Sequence, residues 1–136
     1  MNLYLLLGTS IIVTLSFGQT DSSKCASKMD TLTKSEVYLF VDKMPEVEGG
    51  MQVLFKELLK LEYPKDPGCV SGKIYLAFIV GADGKLSGKR VLRNPSGSTM
   101  GNQALVLVDN VKWIPGSCKG INVPVLVHLP INIHPK

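Results

Sequence analysis

In Lys73-Ile74-Tyr75-Leu76-Ala77-Phe78-Ile79-Val80, the residues Ile74, Leu76, Phe78 and Val80 share one parity, and Lys73, Tyr75, Ala77 and Ile79 the other. Residues two apart line the same face of a strand, so this stretch reads as a strand with one face turned to a core. Ala82-Asp83-Gly84-Lys85 follows, and an Asp-Gly pair is the turn chemistry of a β-hairpin. The return strand runs from Leu86 to Arg93. Its apolar positions Leu86 and Val91 differ in parity, which predicts a bulge near Gly88.

On either side of the hairpin the period changes. After the break at Gly49 and Gly50, Met51, Leu54, Phe55, Leu58 and Leu61 follow helical spacing, with Lys56, Glu57 and Lys60 on the other face. Tyr63-Pro64 ends this helix, because a residue before proline is pushed out of the α region. A second helix is expected from about Thr99 to Val111, with Ser98 as its cap and Met100, Ala104, Leu107, Val108 and Val111 as its buried stripe. Trp113-Ile114-Pro115-Gly116 stops it, and Trp113 is expected to plug the gap between this helix and the sheet. Val123, Val125, Val127, Leu129, Ile131 and Ile133 then alternate without a break as a last, half-buried strand. The simplest packing of this order is α+β, with two helices on one face of a small three-stranded antiparallel sheet.

A chain of 136 residues supports one domain with a real core. Leu3 to Phe17 is an almost unbroken apolar run, shorter than the ~20 residues of a spanning helix. Ser16 and Gly18 stand where a signal peptidase site requires small residues. Residues 1–18 are therefore expected to be a signal peptide, or else a short membrane anchor. Residues 19–36 are polar and aperiodic and read as a flexible leader, and residues 37–136 as the domain. Val37 to Val41 is a short β-prone run that either pairs at a sheet edge or packs against the domain.

Cys25, Cys69 and Cys118 allow one disulfide and leave a thiol over. Cys25 follows a polar, charged stretch rather than a lipobox and reads as an ordinary cysteine of the leader. If the first and last sheet strands are antiparallel neighbours, Cys69 and Cys118 precede opposite ends of that pair, beyond the ~7 Å Cα limit for a bond. No disulfide is assigned.

The net charge of +4 does not point to nucleic acid. The lysines are scattered among acids, and the one tight basic group, Lys85, Lys89, Arg90 and Arg93, has no interleaved aromatic residue to stack a base. His128 and His134 lie six apart without the further ligands that a metal site needs, and nothing orients Cys118 with a histidine as a nucleophile. No catalytic residue, metal or cofactor is assigned, and the chain reads as a binding module rather than an enzyme.

Several stretches together resemble the C-terminal domain of TonB-type energy transducers, in the branch common in Bacteroidetes-like bacteria. They are Met44-Pro45-Glu46-Val47-Glu48-Gly49-Gly50-Met51, Tyr63-Pro64, Gly72 to Val80, Asp83-Gly84, Trp113-Ile114-Pro115-Gly116, Gly120 and Leu129-Pro130-Ile131-Asn132. In that order they fall within Val37 to Ile133, about seventy per cent of the chain. The resemblance implies a periplasmic domain, exported or anchored in the inner membrane, associated with transport across the outer membrane. Its partner is then a peptide of an outer-membrane transporter or receptor, added as a strand to the edge formed by the last strand. The family's transducers also carry an anchor with a polar face and a long proline-rich linker. Here segment 3–17 has no ionisable residue, residues 19–36 have no proline, and Val47-Glu48 replaces an aromatic-proline pair. The alternative is thus an envelope structural or regulatory protein that keeps the fold without energy transduction.

The last strand narrows the expected site. Residues of one parity direct their N–H and C=O groups at the same neighbour. Pro124 and Pro130 share a parity and cannot donate, so their side should be the unpaired edge. Leu126 and His128 are the donors left along that stretch. Strand addition is therefore expected at Leu126, Val127 and His128, with Tyr63 and Pro64 flanking it as the resemblance implies. The other reading of the prolines is that they guard the edge against pairing.

Overall fold

A computed structural model describes residues 25–63, 72–95 and 99–133. The strands are β1 (Ala26–Met29), β2 (Glu36–Phe40), β3 (Glu46–Val47), β4 (Gly72–Val80), β5 (Leu86–Arg93), β6 (Trp113–Ile114), β7 (Gly116–Cys118), β8 (Ile121–Val123) and β9 (Val125–Ile133). Helix α1 (Met51–Leu58) lies between β3 and β4, and α2 (Met100–Asp109) between β5 and β6.

The centre of the molecule is the antiparallel ladder between β4 and β9, continuous from Gly72↔Ile133 to Val80↔Val125. Ile74, Leu76, Phe78 and Val80 are fully buried on one face, against Leu54 of α1 and Met100, Ala104 and Val108 of α2. Trp113 is set here as its position in the sequence suggests. Its Nε1 donates to the carbonyl of Val108 (2.9 Å), and its ring meets Phe78 edge-on with centroids 5.1 Å apart.

The hairpin also follows from local chemistry. Gly84 has φ +84°, and a Cβ there would come within 2.7 Å of the Trp113 carbonyl oxygen, so only glycine fits the turn. The register steps from Ala77↔Arg90 to Ile79↔Ser87, which leaves Gly88 and Lys89 together opposite Phe78. This is the predicted bulge, with Gly88 at φ +57°. It resolves the parity conflict: Leu86 and Val91 both pack against the helix-side core.

The expected three-stranded antiparallel sheet is corrected. The sheet has five strands in the order β1-β2-β9-β4-β5, with β2 parallel to β9 and the other pairs antiparallel. Two ribbons, β3–β6 and β7–β8, accompany it. Of the added strands, β1 comes from the stretch expected to be a flexible leader, of which residues 25–36 are built into the fold, and β2 is the β-prone run expected at Val37 to Val41. Part of α1's expected stripe also needs correction: Leu54 is buried, whereas Met51 and Phe55 are exposed.

The β1–β2 hairpin lies on the face of the sheet away from the helices. Val37 is fully buried there with Ala77, Ile79 and Leu126, and Leu39 packs beside them. Its turn reaches as far as β5. Arg90 there donates to Asp30 (Nη2–Oδ1 2.7 Å), and the Thr33 methyl stands where a side chain on Gly88 would go. Burying the Val37 side chain contributes about 1.5–3 kcal/mol.

At its other end the hairpin is covalently fixed. Cys25 is bonded to Cys118 of β7, with Cα atoms 6.2 Å apart. The expectation of no disulfide is thereby corrected, because residues 25–40 return across the sheet to β7 instead of trailing away from it. Cys69 lies outside the described residues, as do Pro64, Ser98, His134 and residues 1–24.

The bond closes a separation of 93 residues, so its loss frees a long stretch of unfolded chain. Reduction, or Cys118→Ser, is expected to lower stability by about 2–4 kcal/mol. Thermal melts with and without dithiothreitol test this, and peptide mapping of the unreduced protein should return a Cys25–Cys118 cross-link.

Candidate functional site

The outward edge of β9 is identified by one hydrogen bond. Tyr38 of β2 donates its N–H to the carbonyl of Pro124 (2.9 Å), so residues of Pro124's parity face away from β4. They are Leu126, His128, Pro130 and Asn132. The β2–β9 pairing is limited to Tyr38↔Val125, and among the described residues no strand pairs with β9 on this side beyond it.

Why β2 leaves so early is visible at both of its ends. Beyond Phe40 the chain is drawn to β7. Lys43 and Ser117 exchange two backbone hydrogen bonds (3.1 and 2.9 Å), and the Asp42 carboxylate accepts the N–H of Lys119 (2.8 Å). Before Glu36 the turn is held by Asp30, which accepts from the Thr33 N–H (3.0 Å), the Thr33 hydroxyl (2.8 Å) and Arg90. Anchored at both ends, the hairpin crosses β9 at an angle and leaves its second half uncovered.

The expected site residues are therefore separated. Leu126 is buried beneath the hairpin, and the bridge at Val125 turns its N–H toward β2. Val127 is half-buried on the helix side. His128 is exposed and lies on the open edge. Tyr63 stands against the strand beside Leu129–Ile133 rather than beside Leu126. Pro64 lies outside the described residues. The open edge thus runs from His128 to Asn132, two to four residues further along than the sequence indicates.

Next to this edge lies a groove of about 440 Å³, walled by α1 and the turn after it on one side and by Leu129–Ile133 on the other. Phe55 (59% exposed) and Leu59 (83%) line it. With Met51 they form a stripe at i, i+4 and i+8 that does not face the core. Leu54, Leu58 and Leu61 form the inward stripe. Reading all five predicted residues as one buried face hid this second stripe, and Leu59 is the residue that could have revealed it.

Cys25, Asp42 and Cys118 bring ligand atoms within 4.8 Å of one another. Both sulfurs are committed to the disulfide, which leaves a single carboxylate and no metal centre in this form. Compared with protein families and with curated proteins, the chain matches neither a family model nor an individual protein.

Asp30 holds the hairpin turn against β5 through Arg90. The Arg90 guanidinium, followed by the backbone N–H of Thr33, holds its carboxyl well below the usual carboxylate range. A depressed folded-state pKa means that the interaction is fully present above the unfolded pKa, about 4, and is lost as the pH falls below it. Asp30→Asn is expected to lower the melting temperature by several degrees at pH 7, and the gap from the parent should narrow as both are acidified. A gap that stays constant down to the acid transition would show that Asp30 does not carry this pH dependence.

Proposed function

We propose that this is a periplasmic, TonB-like partner-binding domain that takes up a peptide of an outer-membrane transporter or receptor as an added strand on β9. The observation that carries the reading is the open stretch His128–Asn132, with main-chain groups directed outward and an apolar groove alongside. Hydrogen bonds to such an edge supply affinity, and neighbouring side-chain sites supply selectivity. The order of motifs resembling TonB C-terminal domains supports the same reading, and the Cys25–Cys118 bond fits an oxidising compartment outside the cytoplasm.

The other edges suit this role less. β5 carries Lys89, Arg90 and Arg93 and has two register shifts, which spoil a template for pairing. β1 has four residues and no buried side chain. Along β9, Pro130 removes one donor without closing the edge. His128 and Asn132 still offer an N–H and a carbonyl each, and Pro130 a carbonyl. The absence of proline in residues 19–36 keeps an envelope role without energy transduction as the second reading, with the same binding edge.

The test uses a substitution that changes the main chain on the outward side alone. His128→Pro deletes one outward N–H, as Pro130 already does, and leaves the β4–β9 ladder intact. Affinity for a labelled receptor peptide is expected to fall roughly three- to tenfold, while His128→Ala stays near the parent. Equal binding by His128→Pro and the parent, with both folded, would exclude strand addition here. Leu126→Pro is unsuitable, because Leu126 lies under the hairpin.

A further inference from the structure

We infer that the segment taken up along β9 is one in which apolar and acidic side chains alternate. The inference rests on the strand-addition reading and adds to it the chemistry of the partner.

A strand added beside β9 turns successive side chains to opposite faces of the sheet. On the helix side they enter the groove under Phe55 and Leu59, with Leu129 and Ile131 at its base. Among the described residues, none of those lining that groove is charged. Every second residue of the occupant is therefore required to be apolar. On the opposite face the first neighbours are His128, Pro130 and Asn132, all exposed. Behind Asn132 stands Lys73, its register partner on β4, and further across the sheet is Arg93, opposite Tyr75.

Along strands β4, β5 and β9 the charge is one-sided. Strands β4, β5 and β9 contain no aspartate or glutamate, and four cations: Lys73, Lys89, Arg90 and Arg93. Lys89 belongs to the helix side, where it is paired with Asp109 of α2, and Arg90 on the other face is paired with Asp30. Lys73 and Arg93 have no carboxylate partner among the described residues. Lys73 is one strand in from β9, so about 10 Å separates its backbone from that of an added strand. A lysine side chain extending over Asn132 and a glutamate extending back close that distance. Arg93 contributes only through the longer-range field, which salt screens. Acidic residues on the second parity are thus the complement that this face selects.

Three synthetic octapeptides separate the components: alternating Val-Glu, alternating Val-Thr, and the same Val and Glu residues in pairs, Val-Val-Glu-Glu repeated. Binding is measured by calorimetry on the full chain at low and high salt. The Val-Glu peptide is expected to bind about threefold more tightly than Val-Thr at low salt, with the difference vanishing at high salt and in Lys73→Glu. The paired peptide should bind about tenfold more weakly than the alternating one. Phe55→Ser, at an exposed position, should weaken Val-Glu and Val-Thr alike. Equal affinity for Val-Glu and Val-Thr at low salt, or for the paired and alternating peptides, overturns the inference and leaves strand addition standing. No binding by any peptide, unchanged binding in His128→Pro, or a stable dimer that no peptide dissociates, overturns the underlying reading as well.

Discussion

The unbroken ladder between Gly72–Val80 and Val125–Ile133 is the constraint on which the rest of the structure depends. It commits both strands to one parity on each face. The even residues of β4 and the odd residues of β9 form the floor under α1 and α2. The opposite set forms the floor under the β1–β2 hairpin. The same commitment fixes which main-chain groups of β9 are used internally and which point outward. A one-residue slip would exchange the two faces at once and place Pro130 where β4 needs a donor. Register, core and binding edge are therefore one choice.

An exposed edge is a hazard as well as an opportunity, since unpaired N–H and C=O groups recruit any extended chain. This fold covers part of β9 and leaves part open. The covered part is sealed by Val37 over Leu126 and by the bridge from Tyr38. The open part contains Pro130, which breaks the run of donors that indiscriminate pairing would use. The two readings of the prolines offered by the sequence are compatible here. A proline that weakens generic pairing also raises the share of selectivity carried by side chains in the groove.

What was legible in the sequence was what neighbours along the chain determine. The alternation of β4 and β9, the Asp-Gly turn, the bulge at Gly88, the buried stripe of α2 and the seat of Trp113 all rest on local period or local turn chemistry. Of the β1–β2 hairpin only the β-prone run Val37 to Val41 was legible, and β1 was not, because its stability is borrowed. Its strand residues Ala26–Met29 are all exposed and show no alternation. Its two anchors are Cys118, 93 residues away, and Arg90, 60 residues from Asp30. No period in residues 25–40 records those contacts. The site was partly legible for the same reason. Proline parity pointed to the outward side of β9 and to His128, but Leu126 was lost to a hairpin that local pattern does not reveal.

The exposed stripe on α1 carries the argument one step further. Met51, Phe55 and Leu59 add nothing to the core, yet a helix with only Leu54, Leu58 and Leu61 apolar would already be amphipathic enough to pack. Scattered exposed apolar residues need no explanation; Phe55 and Leu59 set together along an open strand edge do. β2 starts a row parallel to β9 and leaves it at Val125, and the row resumes as an empty space from His128 to Asn132 under that stripe. A strand placed there would satisfy the outward main-chain groups and cover Phe55 and Leu59 in one step. Those two deficits lie side by side because both arise from the same divergence of the hairpin, which is what makes a single extended occupant the economical reading of this surface.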